Sequence, residues 1–306
     1  MKILVVTPVM IQPGHPENVE PIGEITREWM KEFVPILEGK GHDVTLLTGQ
    51  ETTRGNVERA IREGTPDFFT FFDHGSMDAL LGTGDYIGRF GPFASVTNTA
   101  NCIDTRNCAV LRRVHAFAEA CLSAMSLGPA AVDKGCSSYA GYVLPSMVGE
   151  PPWDEPYKLQ SFAYPYAVAD GKTLGEAFNI YNKVTYEQAS KLVTQLPYGL
   201  VNAIYLMFNS LHFRLTAPEG TKERPIKAYT ISEERRAIAQ IEEIKRTLRA
   251  QLVRLTAEEG KKPFISIGAR TLTLEQFLTE LDKGPETVVY EALAAGLIEL
   301  YRRSII

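Results

Sequence analysis

The side chains best suited to covalent chemistry in this chain are four cysteines (Cys102, Cys108, Cys121, Cys136) and five histidines (His15, His42, His74, His115, His212). A thiolate attacks a carbonyl carbon, and a neighbouring imidazole first takes the thiol proton and later hands it to the departing amine. His74 follows the apolar run Phe68 to Phe72 in Asp73-His74-Gly75, and Cys121 follows the run Val110 to Ala118 in Glu119-Ala120-Cys121. Both runs read as buried strands, so both groups leave a strand at its carboxyl end. Glycine after the histidine leaves a backbone amide unobstructed, and the N–H groups of Gly75 and Cys121 are candidate donors to an oxyanion. Asp104 and Asp85 lie in the loop between the two motifs, where they either help form a substrate pocket or stand as solvated loop charges. Asp73 adjoins His74, but successive side chains of an extended chain point to opposite faces, so it reads as a strand-end cap. His15 sits near the end of the first strand, where it would line the same cleft. The remaining histidines and cysteines read as structural.

The elements that must position these groups alternate along the chain. Lys2 to Thr7 and Asp43 to Leu47 are strand-like runs, separated by a helix over Glu24 to Leu37 and followed by another over Val57 to Glu63. A Gly-rich loop is expected after residue 75, a helix from Gly128 to Lys134 and a strand from Ser138 to Tyr142. Single helices between strands at this spacing predict an α/β fold with a mainly parallel sheet and helices on both faces. Such sheets collect functional groups at the carboxyl ends of their strands. Residues 143–171, rich in proline and aromatics, read as a long ordered loop. Helices follow over Thr173 to Leu192 and Gly199 to Ser210, then a strand over Leu211 to Leu215. The expected organisation is an α/β domain over 1–216, a polar linker over 217–231 and a small helical C-terminal region over 232–306.

The two motifs resemble the caspase–gingipain–legumain superfamily of cysteine peptidases, in which a histidine stands roughly 50 residues before the cysteine. The resemblance is carried by His74-Gly75, by Glu119-Ala120-Cys121, and by Leu127-Gly128-Pro129-Ala130 at the start of the following helix. Gly135 and Ser138-Tyr139-Ala140-Gly141-Tyr142 complete it. It spans residues 1–216 in order of elements and is specific over 66–142. It implies a caspase-like sheet, a Cys121–His74 dyad and hydrolysis of protein or peptide substrates without a cofactor. The residue two before the cysteine lines the specificity pocket in many relatives. An acid there is similar to clostripain and metacaspases, which cleave after Arg or Lys, and to legumain, which cleaves after Asn. The resemblance therefore implies cleavage after Arg or Lys, with Asn second. One departure stands out: many relatives carry glycine two or three residues after the cysteine, whereas here Leu122-Ser123-Ala124 follows. Lys222-Glu223-Arg224 offers a basic site for self-cleavage, and the C-terminal helices offer a surface to an activator or recruiter.

Composition narrows the alternatives. The net charge of −5 and the lack of a dense Lys/Arg run speak against nucleic-acid binding. The apolar stretch from Tyr198 to Phe208 is broken by Asn202 and is too short to span a membrane. The N-terminal apolar run is too short for a secretion signal, which with four cysteines predicts a cytoplasmic protein. No C-x-x-C spacing suggests zinc, and Gly82 to Gly88 lacks the G-K-[ST] of a phosphate loop. Two other functions stay open: an interaction protein that keeps the caspase-like fold without catalysis, and a glycosyltransferase-type enzyme suggested by the strand–loop–helix start.

Overall fold

The structure is a computed structural model of the 306-residue chain. It describes the backbone except at residues 9, 10, 13, 14, 20, 91–93, 224–229, 257, 268 and 269, and the side chains except at 9–22, 84–100, 223–229, 257 and 268–270. Strand β1 (Lys2–Thr7) is followed by the short strands β2 (Ile11–Gln12) and β3 (His15–Val19), then by α1 (Pro21–Gly39), β4 (Asp43–Thr48), α2 (Arg54–Gly64) and β5 (Phe68–Phe72). Next come β6 (Ala79–Phe90), β7 (Ala94–Asp104), β8 (His115–Glu119), α3 (Leu127–Asp133), β9 (Ser138–Tyr142) and β10 (Met147–Gly149). Helices α4 (Glu155–Ala169), α5 (Leu174–Leu192) and α6 (Tyr198–His212) lead to β11 (Phe213–Ala217) and β12 (Gly220–Glu223). The chain continues with α7 (Ile231–Leu252), β13 (Pro263–Ile267), β14 (Arg270–Thr273), α8 (Leu274–Asp282) and α9 (Val288–Arg302).

Packing divides the chain into two units that alternate along it. The first holds Met1–Ser146, Phe162–Phe178 and His212–Glu223; the second holds Met147–Ser161, Asn179–Leu211 and Arg224–Ile306. These segments interleave, whereas composition suggested the successive stretches 1–216, 217–231 and 232–306.

The first unit is an α/β layer structure around a seven-stranded sheet of order β12-β11-β9-β8-β5-β1-β4. Strands β4, β1, β5, β8 and β9 run parallel; β11 is antiparallel to β9, and β12 to β11. Apolar side chains fill both faces, which is why the central strands read as unbroken apolar runs. On one face Leu4, Val6, Phe69, Phe71, Ala116 and Ala118 pack with Val57 and Ile61 of α2 and Leu127 and Ala131 of α3. On the other, Phe72 meets Phe33 of α1 with ring centroids 5.1 Å apart, and Phe117 stacks on Tyr164 of α4 at 5.7 Å. The order of strands reverses between β1 and β5, and β8 lies next along the sheet.

Several expectations change. The run Val110 to Ala118 is a strand only from His115; Cys108–Leu111 forms a turn of 3-10 helix, and Arg113, at φ 65°, turns the chain before β8. The expected Gly-rich loop is the hairpin β6–β7. The expected loop over 143–171 contains β10 and α4. Tyr157, Phe162 and Tyr164 of α4 are all buried, so this helix has no polar stripe to betray its period. Pro156 stands in its first turn, where no backbone donor is needed. The expected linker contains β12, paired along β11.

The second unit is not purely helical, because β10, β13 and β14 form a three-stranded antiparallel sheet beside its helices. Helix α6 is buried from Gly199 to Leu211. Its Tyr205 hydroxyl donates to the Val289 carbonyl at 3.1 Å and its ring meets Phe277 edge-on. Thr230 with Glu233 and Thr273 with Gln276 close capping boxes at the starts of α7 and α8.

Candidate active site

Strands β5 and β8 leave the sheet side by side. Their register pairs Phe72 with Glu119, and the Asp73 N–H donates to the Glu119 carbonyl at 3.1 Å. Beyond that bond the β5 end turns to meet β6. The Leu81 N–H donates to the His74 carbonyl at 3.1 Å and the Ser76 N–H to the Ala79 carbonyl at 2.8 Å, bracketing Gly75 opposite Leu80. In such a bracket the central pair makes no bond across the ladder. Gly75 packs directly on the cysteine segment: a methyl group on it would stand 2.8 Å from the Cys121 carbonyl oxygen and 2.9 Å from the Ala120 Cβ. Only glycine fits, and the backbones of the two motifs touch.

Both Gly75 and Cys121 are buried. Among the described residues neither N–H donates to a backbone carbonyl, and that of Cys121 turns toward its own sulfur, where it favours the thiolate. Buried backbone donors outside the carbonyl ladder are rare, and here two lie on touching segments.

The Cys121 Sγ lies 3.6 Å from the Ser146 hydroxyl and 3.9 Å from its carbonyl oxygen. Burial pushes the thiol pKa up; the two Ser146 contacts work against this, and the Glu119 charge adds to it. Leu122 has φ 60°, a left-handed conformation that is strained for a branched side chain and turns the chain sharply just past the thiol. The turn is held by the Leu122 N–H on the Leu144 carbonyl and the Ala124 N–H on the Tyr142 carbonyl.

His74 is buried beside Asp73. The Asp73 Oδ1 accepts from the His74 N–H at 2.7 Å, which is the expected cap, and also lies 3.6 Å from the His74 Nε2. The alternation of an extended chain ends with β5, and the turn into β6 brings the carboxylate back to its neighbour's ring.

Glu119 is buried, and its Oε2 accepts from the Tyr142 hydroxyl of β9 at 2.7 Å. Asp104, expected as a further acid of the pocket, is buried in its own set of donors. It caps the turn after β7, accepting from the N–H groups of Arg106 and Asn107, from the Arg106 guanidinium at 2.7 Å and from Arg54 at 3.4 Å. Burial alone would raise its pKa, but these donors outweigh it and hold the carboxyl at about 2. The side chains of Asp85 and His15 lie outside the described residues. His115 bonds Ser138, His42 lies near the N-terminal amine, and burial lowers His212 to about 4. All four cysteines are free thiols, and burial pushes Cys102 and Cys136 to about 12.

Sequence reasoning missed Tyr142 as the partner of Glu119 and Ser146 as the neighbour of the thiol, since neither carries a local signal. It also missed Met77 and Met125, both about half exposed, on the loops that follow His74 and Cys121. The Ser126 and Leu127 N–H groups both donate to the Met77 carbonyl, tying these loops together. Among the described residues no group of three or more His, Cys, Asp or Glu is placed to hold a metal ion, and no helix is long and apolar enough to cross a membrane. Compared with known proteins, the chain matches no family model and no curated protein.

Proposed function

We propose that the chain is a cysteine endopeptidase of the caspase-like kind, with Cys121 as nucleophile and His74 as base. The observation that carries this reading is the contact between Gly75 and Cys121, with two buried N–H groups that donate to no backbone carbonyl among the described residues. In the first step His74 takes the Cys121 proton and the sulfur adds to the scissile carbonyl. Charge builds on the carbonyl oxygen, and the Gly75 and Cys121 N–H groups receive it. The C–N bond then breaks as the imidazolium gives its proton to the leaving amine. Water, activated by the same imidazole, releases the acid from the thioester.

A substrate Arg or Lys would pair with Glu119, for which its partner Tyr142 must share the carboxylate or turn aside. The burial of Cys121 and its raised thiol pKa favour a second reading, an interaction protein that keeps the fold and does no chemistry. A fluorogenic peptide panel varied at the residue before the scissile bond separates the two. Hydrolysis after Arg or Lys, abolished in Cys121→Ala and His74→Ala and weakened in Glu119→Gln, supports the peptidase. Hydrolysis that survives in Cys121→Ala, or none from the wild type, rejects it.

A further inference from the structure

We infer that Asp73 is a positioning residue that orients His74 and strengthens it as a base; this rests on the peptidase reading and adds a third member to its dyad. The Asp73 side chain is fully buried and that of His74 nearly so. A carboxylate withdrawn this far from water is costly unless positive charge or donors stand close. One of its oxygens, Oδ1, faces two groups of the same neighbour, the His74 N–H at 2.7 Å and the His74 Nε2 at 3.6 Å. The first contact fixes the backbone at the strand end. The second places negative charge beside the ring nitrogen that carries a proton in the imidazolium.

An adjacent carboxylate selects the tautomer protonated on the nitrogen that faces it and stabilises the charged ring. Here that nitrogen is Nε2, 3.6 Å from the carboxylate, and in the proposed dyad the thiol proton then goes to the other ring nitrogen, Nδ1. The transfer balances: the proton leaves the Cys121 Sγ, binds Nδ1 and later departs with the amine, while Asp73 stays ionised throughout. Because the Cys121 thiol is buried, the dyad needs a strong base, and the carboxylate supplies that strength.

Asp73→Asn separates positioning from capping. Asparagine keeps an oxygen for the His74 N–H and removes only the charge. The peptidase assay on full-length protein should show kcat reduced about a hundredfold with KM little changed. Alkylation of Cys121 by iodoacetamide should slow in Asp73→Asn and in His74→Ala alike. If the wild type hydrolyses peptides and Asp73→Asn does so at the same kcat, the inference is overturned while the peptidase reading stands. If the wild type hydrolyses nothing, that reading fails, and the alkylation rates still judge Asp73: slowing in both variants supports the pairing, and no change in Asp73→Asn refutes it. Should Asp73→Asn not fold, nitrogen-15 spectra of the wild type decide. A neutral His74 protonated on Nε2 is the expected result, and protonation on Nδ1 would overturn the inference.

Discussion

Gly75 shows how little room the candidate site leaves. A single methyl group there would press on the Cys121 carbonyl and the Ala120 side chain, and both belong to the segment that carries the thiol. Gly75→Ala is therefore expected to cost about 1–3 kcal/mol of stability, as overpacking does, and, on the proposed peptidase reading, to lower kcat by shifting the two proposed oxyanion donors. Chemical denaturation and peptide hydrolysis on the same preparation test the two effects. Asp104 leads to a prediction in pH. Its folded pKa lies near 2 and its unfolded value near 3.8, so its contribution is complete above about pH 4 and is lost as pH falls toward 2. For so buried a side chain the contribution is about 2 kcal/mol. Asp104→Asn should flatten the stability profile in that window; a variant with the wild-type profile would refute the assignment. His212 acts earlier, because burial lowers its pKa to about 4. Stability present above pH 6.5 should drain as the pH falls from there toward 4, and His212→Gln should remove that slope.

At the scale of elements, the tie between Glu119 on β8 and Tyr142 on β9 joins two neighbouring strands through a buried charge. Tyr142→Phe leaves the carboxylate without this donor and should destabilise the protein by about 1–3 kcal/mol, while Glu119→Gln in the same background should recover part of the loss. Thermal unfolding of the two single variants and the double variant closes the cycle. The elements that position this tie were legible in the sequence to different degrees. Phe68 to Phe72 and Ser138 to Tyr142 read as strands because they are buried on both faces, and they are strands over those same residues. The α/β class and the mainly parallel sheet followed from their alternation with helices. Helix α4 was hidden because apolar rings surround it, and β8 was drawn too long because Val110 and Leu111 are as apolar as the strand itself. At the site, the strand ends bearing His74-Gly75 and Cys121 were legible. The return of Asp73 onto its neighbour was not, since it depends on a turn fixed by residues 79–81. The setting of Asp104 was legible only in part for a related reason: Arg106 and Asn107 follow it in the same turn, but Arg54 reaches it only once α2 packs beside β7.

For the whole molecule, strand β12 bears on self-cleavage. Lys222 pairs with Leu215 of β11, and a peptidase must unpair a strand before cutting within it. If the chain cleaves itself in Lys222-Glu223-Arg224, a cut after Lys222 is expected only once β12 has unpaired from β11, and N-terminal sequencing of fragments released from native and from partly denatured protein tests this. The interleaved units make a further demand. Removing everything after residue 223 takes away Phe277 and Val289, which cover Tyr205, and leaves the apolar length of α6 in place. Such a fragment is expected to aggregate rather than to keep a working sheet, and a soluble, cooperatively melting fragment would contradict this. Helices α4, α5 and α6 each begin in one unit and end in the other, so neither unit is a contiguous stretch of chain. A recombination event that joined this sheet to a different partner would have to cut and rejoin the gene at several points at once. The two units are thus bound to be inherited together, and change in either is more readily reached by point substitution than by exchange of modules.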